Sequence, residues 1–275
     1  MRRSKLVVPI LVVVLILSLF GCGGTSSSPS SGTSSIPSEG VFGTEWGTQG
    51  TGDGQFREPE GLAVASDGSV YVADYSNNRV QKFTSEGVFL NKWGALGTDD
   101  GQFNYLLGLA VASDGNVYVA DTFNHRIQKF TSEGVFVSKW GTEGTGDGEF
   151  REPRGVAVAP DGTIYVSDHG NNRIQKFTSE GAFVSQWGTE GTGDGEFSWP
   201  LGVSVASDGS IYVADFSNHR VQKFASDGVF VSKWGSEGTG DGYFRQAKAV
   251  AVASDGSVYV ADYSNNRIQK FLPGK

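Results

Sequence analysis

Three histidines are the residues of this chain best suited to metal chemistry: His125, His169 and His219. Imidazole nitrogens bind zinc, and three of them with one open position would polarise a substrate or activate a water molecule. His125 and His219 each stand four residues after an aspartate, whereas His169 directly follows its aspartate. This mixed spacing favours ordinary loop residues, so no metal site is favoured and the three histidines stay candidates only.

The repeated "GTGDG" strings are a second candidate for ligand chemistry. Glycines beside an aspartate suggest phosphate or calcium binding, but no lysine and no helix follows them. One carboxylate per loop is also few for calcium, which binds six to eight oxygens. Turn formation explains these loops better, and neither a Ser-His-Asp nor a Cys-His set is evident. We therefore expect no cofactor, with zinc or calcium as lesser alternatives.

These residues sit in a unit that recurs five times with a period of 47 residues. An aspartate, an arginine five places later and a tryptophan mark each copy. The aspartates and arginines are Asp74/Arg79, Asp121/Arg126, Asp168/Arg173, Asp215/Arg220 and Asp262/Arg267. The tryptophans are Trp46, Trp93, Trp140, Trp187 and Trp234. We predict that each Asp–Arg pair ties two strands together and that the tryptophans fill the space between units.

Each unit reads as four short strands. Four runs rich in Val, Tyr, Phe and Trp are separated by Gly, Asp, Ser and Asn, and none has helical periodicity. A four-stranded unit of this length predicts an all-β fold, a single β-propeller of five blades. Residues 38–47 have the sequence of a fourth strand and would complete the last blade, since residues 41–275 number 235, or five times 47. A six-blade-like ring or a strand-swapped closure stays open.

The repeated strings resemble NHL repeats. The resemblance is carried by strings such as "NVYVADTFNHRIQKF" at 116–130 and, at the start of the next copy, "GTGDGEFREPRGVAVAPDG" at 144–162. It covers about 235 of the 275 residues. It implies a propeller, although the family often closes six blades. Propellers of this family serve as binding platforms, sensors, RNA readers and occasionally enzymes. His125 and His219 resemble the zinc-ligand position of amidating-lyase propellers that carry this repeat type.

The N-terminus predicts an exported lipoprotein. Arg2, Arg3 and Lys5 precede a 15-residue apolar run at 6–20, which suits a signal peptide over 1–21. Cys22, the only cysteine, follows in "LFGC" and is the predicted lipidation site. Residues 22–37 would form a Ser/Gly-rich tether, and the propeller would span 38–275. Without the signal, 19 Lys and Arg oppose 30 Asp and Glu, a net charge of −11 that disfavours nucleic acid.

The copies differ most in two loops that should emerge on one face of the propeller. The residue entering the innermost strand of each blade should line the central channel: Glu60, Leu107, Arg154, Leu201 and Lys248. Further residues of this predicted ligand-binding face are Tyr105, Arg151, Trp199 and Arg245. The five quartets 57–60, 104–107, 151–154, 198–201 and 245–248 carry a summed charge of +2. Either this face binds an anionic, sugar-like or acidic peptide ligand, or Arg57, Glu58, Arg151 and Glu152 merely pair on the rim.

The sequence thus predicts a non-catalytic binding or scaffold module, anchored to the envelope membrane by its lipid alone. Its partner would be a protein, a peptide or a carbohydrate, and not a nucleic acid. The alternative is a metal-dependent lyase or lactone hydrolase that uses the same face. An enzyme would need a metal and a general base, and the sequence offers no convincing base.

Overall fold

The fold is all-β, as predicted. A computed structural model describes residues 43–273, and the predicted signal peptide, Cys22 and residues 22–37 lie outside them. The described residues contain 21 strands and five single-turn 3₁₀ helices, and 19 of the strands form five antiparallel sheets arranged as the blades of a ring. Over the same residues, no helix is long and apolar enough to span a membrane.

Blade 1 shows how one repeat builds a sheet. Its approach contains β1 (Thr48–Gln49) and β2 (Gln55–Phe56), which pair in parallel across a glycine loop. Four antiparallel strands follow: β3 (Pro59–Val64), β4 (Val70–Asp74), β5 (Arg79–Phe83) and β6 (Phe89–Trp93). A 3₁₀ turn over Tyr75–Asn77 joins β4 to β5, and Asn78 ends it in the left-handed conformation at φ 52°. Asn tolerates this conformation because its short side chain bonds locally.

The other blades repeat this plan. Blade 2 contains β7 (Leu106–Val111), β8 (Val117–Asp121), β9 (Arg126–Phe130) and β10 (Phe136–Trp140). Blade 3 contains β11 (Pro153–Val158), β12 (Ile164–Asp168), β13 (Arg173–Phe177) and β14 (Phe183–Trp187). Blade 4 contains β15 (Pro200–Val205), β16 (Ile211–Asp215), β17 (Arg220–Phe224) and β18 (Phe230–Trp234). Blade 5 contains β19 (Ala247–Val252), β20 (Val258–Asp262) and β21 (Arg267–Phe271). The 3₁₀ turns of blades 2 to 5 are Thr122–Asn124, His169–Asn171, Phe216–Asn218 and Tyr263–Asn265.

The innermost strands pack side by side around the central axis. A Cβ added at Gly108 would overlap the backbone carbonyl oxygen of Arg154 in the next blade. A Cβ added at Gly61 or Gly155 would likewise overlap a carbonyl oxygen of the next blade, that of Leu107 or Leu201. Glycine therefore sets the close spacing of these strands. At one end of the axis, five valines 47 residues apart line a cavity of about 330 Å³: Val64, Val111, Val158, Val205 and Val252.

Aromatic residues fill the space between blades, as predicted. The Trp93 ring of blade 1 lies 5.8 Å from the Phe130 ring of blade 2, and the turn at Gly134 packs against the same indole. The Tyr71 hydroxyl crosses the same boundary and donates to Ser132 O at 3.2 Å. Phe130 and Tyr71 are both buried, so this interface buries two large rings, and the hydrogen bond fixes the polar end of Tyr71.

The junction between blades 5 and 1 differs from the other four. The fifth sheet has three strands among the described residues, and Ile268 of β21 is 51% exposed, whereas the equivalent Ile127 is fully buried. Residues 38–42 of the predicted closing strand lie outside the described residues, and residues 43–47 are not assigned to a strand. Trp46 nevertheless contacts Phe83 at 6.0 Å, as Trp93 contacts Phe130. The closing segment therefore has its contact with blade 1, while its described part lacks strand pairing with β21.

The sequence contains a cause for the looser junction. Four innermost strands carry a glycine at the point of closest approach to the next blade, but blade 5 carries Ala249 there. A methyl group at this position needs space that the other junctions do not have.

Candidate functional site

The repeated Asp–Arg pair is a structural element. Arg126 donates from Nε to Asp121 at 2.6 Å, and the pair joins β8 to β9 as predicted. The same guanidinium donates to the backbone oxygens of Thr98, Asp99 and Gln102 at 2.7, 2.8 and 2.9 Å. These carbonyls belong to the glycine-rich loop, so the arginine folds that loop onto its blade. Burial raises the pKa of Asp121, and its hydrogen bonds to Asn104, Asn124 and Arg126 oppose that rise.

A second contact, repeated along the chain, joins each of the first four blades to the next. The residue that ends the 3₁₀ turn accepts a hydrogen bond from the backbone N–H that enters the next blade. Asn78 Oδ1 accepts from Tyr105 N at 2.7 Å, and Asn172 Oδ1 accepts from Trp199 N at 2.8 Å. Among the described residues the bond from Glu58 N to Asn266 is absent, which again sets the junction of blades 5 and 1 apart.

Two of the three candidate metal-binding histidines perform this same structural role. His125 Nδ1 accepts from Glu152 N at 3.1 Å, and His219 Nδ1 accepts from Gln246 N at 2.9 Å. Each ring therefore replaces an asparagine side chain, and its Nδ1 lone pair is already used. No group of three or more His, Cys, Asp or Glu within residues 43–273 is arranged to hold a metal ion.

The third histidine lies in a different environment. His169 is 7% exposed, its Nδ1 lies 3.3 Å from Pro200 O, and its ring lies 5.7 Å from that of Trp199. Burial lowers the pKa of His169 to about 4, and the nearby Arg154 cation lowers it further. The ring is therefore neutral at pH 7 and supports the indole of Trp199.

The five predicted channel-lining residues lie at the end of the axis opposite the five valines. We call this end the upper mouth, and it includes the five entry loops 57–60, 104–107, 151–154, 198–201 and 245–248. Lys248 of blade 5 donates to Glu60 of blade 1 at 3.2 Å and lies 4.7 Å from the centre of the Tyr263 ring. Burial raises the pKa of Glu60, and the charges of Lys248 and Arg154 oppose that rise. The other two positions are the uncharged Leu107, which is half-buried, and Leu201, which is buried.

Arg154 is a half-buried cation of the upper mouth with few hydrogen bonds. It donates one hydrogen bond among the described residues, from Nη2 to Glu152 Oε2 at 3.0 Å, and its Nε is buried without a partner. A guanidinium has five N–H donors, so most of its hydrogen-bonding capacity is unused. Arg151 and Arg245 are exposed on the outer part of the same loops.

The sequence left open whether Arg57, Glu58, Arg151 and Glu152 pair with one another on the rim, and no such salt bridge joins these four described residues. Glu152 pairs with Arg154 instead of Arg151, and Glu58 accepts a hydrogen bond from Ser76 Oγ at 2.6 Å. Neither Arg57 nor Arg151 forms a salt bridge with a described residue. The mouth therefore keeps its excess of positive charge.

The two predicted aromatic residues are exposed and rigidly held. Trp199 is 55% exposed and Tyr105 is 37% exposed, and both have left-handed backbone, at φ 56° and 54°. Glu58, Glu152 and Gln246 have the same conformation at the equivalent positions, so it is a feature of the repeated entry turn. Tyr105 also packs against Tyr75 and Phe123, with ring centres 4.8 and 5.4 Å apart.

Sequence reasoning placed these residues on one face but missed their backbone anchors and the clusters around them. The left-handed entry position and the Asn or His that holds it were not predicted. The signal was present, since Asn78, His125, Asn172 and His219 share one repeat position, and Asn and His both offer an acceptor at similar reach. The packing of His169 on Trp199 joins residues 30 positions apart and has no such signal.

The fold and its repeats match known proteins. The family described as NHL repeat matches residues 56–83, 103–130, 150–177, 197–224 and 244–271. No curated protein sequence matches the chain. Virginiamycin B lyase from Staphylococcus aureus is similar in structure, with 15% identity, a TM-score of 0.58 and coverage of 78% of this chain and 70% of that chain.

Two further solved structures share the fold. A gluconolactonase from Xanthomonas campestris has 18% identity and a TM-score of 0.56, over 74% of this chain and 69% of that chain. A protein of unknown function from Bacteroides caccae has 14% identity and a TM-score of 0.58, over 76% and 73%. At these identities the likeness concerns the propeller alone.

Proposed function

We propose that this chain, which belongs to the NHL repeat family, is a non-catalytic binding module whose ligand is held at the upper mouth. The ligand is a protein, a peptide or a carbohydrate. The module is exported and anchored to the cell envelope membrane by a lipid on Cys22, and it does not bind nucleic acid.

One observation carries this proposal: Arg154 differs in kind from the repeated arginines. Arg126 is 6% exposed and donates to four acceptors, whereas Arg154 has a 29% exposed side chain and donates once. An arginine that donates to several acceptors stabilises the fold. One with unused donors beside exposed aromatic rings is suited to a ligand with acceptor groups.

The charge of the upper mouth supports the same proposal. Its entry loops contain five cations, Arg57, Arg151, Arg154, Arg245 and Lys248, and three anions, Glu58, Glu60 and Glu152. The difference is +2 on a protein whose net charge is −8. A local positive potential on an acidic body guides anionic ligands to that place and repels them elsewhere.

The proposed anchoring rests on the N-terminal sequence. A cationic start, an apolar run at 6–20 and a lone cysteine suit export and lipid attachment. The 16 residues of 23–38 have a root-mean-square reach of about 22 Å as a flexible chain. That reach would hold the propeller close to the membrane while leaving the upper mouth accessible.

The enzyme alternative, a metal-dependent lyase or lactone hydrolase, receives less support from the geometry. It requires the histidines to converge on one ion. His125 and His219 instead accept backbone N–H groups at two different blade junctions, and His169 packs under Trp199. We therefore do not propose this function.

A binding panel tests the proposal. We would apply the full-length chain to immobilised oligosaccharides and peptides of either charge and compare it with the variants Arg154→Gln and Trp199→Ala. Lys139→Gln is the matched control, because it also removes one cation but lies on the outer strand β10, paired with Asp100. We expect both mouth variants to lose binding that the control retains. Equal binding by all four proteins would contradict the proposed function.

A further inference from the structure

We propose that the ligand of the upper mouth is an acidic oligosaccharide, a chain of sugars carrying carboxylate groups, bound over blades 2 to 4. This inference rests on the proposed function and narrows it. It names both the class of ligand and the part of the mouth that binds it.

The two sides of the upper mouth differ in how their charges are satisfied. On the side of blades 5 and 1, Lys248 is paired with Glu60 and packs over Tyr263. The channel-lining cation of that side is therefore already matched, and its other cations, Arg57 and Arg245, are exposed on the outer part of the loops. On the side of blades 2 to 4, the channel-lining Arg154 keeps unused donors, so the positive charge available to a ligand at the channel is that of blade 3.

Aromatic rings lie on both sides of this cation. Arg154 acts electrostatically on His169, whose ring packs on Trp199 of blade 4. It acts in the same way on Tyr75, whose ring packs on Tyr105 of blade 2. Its strand β11 lies between β7, which follows Tyr105, and β15, which follows Trp199, so Arg154 is central to a short arc with an exposed aromatic ring at each end.

The arc is rigid before any ligand arrives. Both exposed rings have their backbone N–H groups bonded to the preceding blade, and each packs on a neighbouring ring. Binding to a preorganised surface costs little conformational entropy.

These features fit a sugar with a carboxylate. An exposed indole or phenol ring packs against the apolar C–H face of a sugar ring, while hydroxyl groups need polar partners at the edges. The side chains of Asn104 and Ser198 precede the two aromatic residues, are half-buried and make no hydrogen bond with described residues. The carboxylate would pair with the guanidinium of Arg154.

A peptide fits the same surface less well. Extended peptides are commonly bound by adding a strand to an open sheet edge. The strands of blades 2 to 4 end at the upper mouth and present loops there, so no such edge is available. The geometry therefore favours the sugar, and a peptide becomes an outcome that the test can detect.

The test compares one acidic oligosaccharide with its neutral counterpart. The probes are a hexamer of galacturonic acid and its methyl ester, titrated calorimetrically against the full-length chain. We expect the acid to bind and the ester to bind at least about tenfold more weakly. Arg154→Gln and Trp199→Ala should each weaken binding of the acid by about tenfold or more, whereas Lys139→Gln should change it less than about twofold.

The outcomes separate the two proposals. Equal binding of acid and ester, or binding of the acid that Arg154→Gln leaves unchanged, would overturn the inference. If the hexamer does not bind but an acidic peptide does, and Trp199→Ala abolishes that binding, the ligand class is wrong and the proposed binding function stands. If neither variant alters any binding, both proposals fail. Circular dichroism and thermal unfolding would first establish that each variant is folded.

Discussion

At the scale of single residues, the arginines of this protein divide into two kinds. Arg126 and its four equivalents each pair with a buried aspartate, and most of them also hold the carbonyls of a glycine loop. Arg154 instead lies at the upper mouth with one hydrogen bond to a partly exposed glutamate. The same residue type therefore stabilises the fold at one position and is available to a ligand at the other.

This division predicts different costs for the same substitution. Arg126→Met would leave Asp121 as a fully buried carboxylate without its cation, and we expect a loss of about 3–5 kcal/mol in the free energy of unfolding. Arg154→Met should cost less than about 1 kcal/mol, because its ion pair is partly exposed. Urea denaturation of both variants measures the difference, and similar losses would contradict the assignment of the two roles.

His169 predicts a dependence of stability on pH. Its pKa in the folded protein is about 4, below the value of 6.5 for an unperturbed imidazole, so folding favours the neutral ring. The stabilisation is complete above pH 6.5 and is lost as the pH falls toward 4, by about 3 kcal/mol in total.

The variant His169→Phe isolates this effect, because Phe216 occupies the equivalent position in blade 4. Phenylalanine cannot take up a proton, so the difference in unfolding free energy between wild type and variant should change by that amount between pH 7 and pH 4. Unfolding curves at a series of pH values test this. A constant difference across the range would show that His169 does not carry the effect.

At the scale of strands and turns, close backbone packing at the axis determines how the blades meet. We expect Gly108→Ala to destabilise the protein by about 1–3 kcal/mol, since its methyl group would overlap the Arg154 carbonyl oxygen, a backbone atom that has little room to move. Gly240→Ala is the comparison for the lost glycine alone, because its backbone is not left-handed and its added Cβ would meet only side-chain atoms of Tyr243, at 3.5 Å or more. Thermal unfolding compares the two, and a milder effect at Gly108 would contradict the packing argument.

The strands were predictable because each has a short alternating or apolar run bounded by turn residues. The repeat period then fixed their number, and the pattern of Asp121 and Arg126 predicted their pairing. The face of the candidate site was also predictable, since it depends only on alternating strand direction. The pairing of Lys248 with Glu60 could not be predicted from the sequence, because the two residues belong to different blades and their distance depends on how the ring packs. For the same reason the sequence did not show that Lys248 has a partner across blades while Arg154 keeps unused donors.

At the scale of the whole molecule, we predict that the junction of blades 5 and 1 is the weakest part of the ring. It has Ala249 in place of glycine, lacks the bond between Glu58 and Asn266 among described residues, and is bridged by the pair of Lys248 and Glu60. A ring with one looser junction would open there first, since local stability follows local packing.

Two substitutions at equivalent positions test this description. Ile268→Ser in β21 should cost less than about 1 kcal/mol, because the side chain is already half exposed. Ile127→Ser in β9 should cost about 3 kcal/mol or more, because it introduces a hydroxyl group and a cavity into a buried site. If urea denaturation gives equal losses, the last blade is completed by a fourth strand in solution, as the sequence of residues 38–47 predicts.

The central claim is that ligands bind at the upper mouth, and hydrogen–deuterium exchange tests it most directly. Exchange would be measured on the full-length chain with and without the tightest ligand from the binding panel. We predict slower exchange in the entry loops 104–107, 151–154 and 198–201, and unchanged exchange in the turns 113–115 and 160–162 at the opposite end of the axis. Protection of those turns, with no change in the entry loops, would contradict the claim.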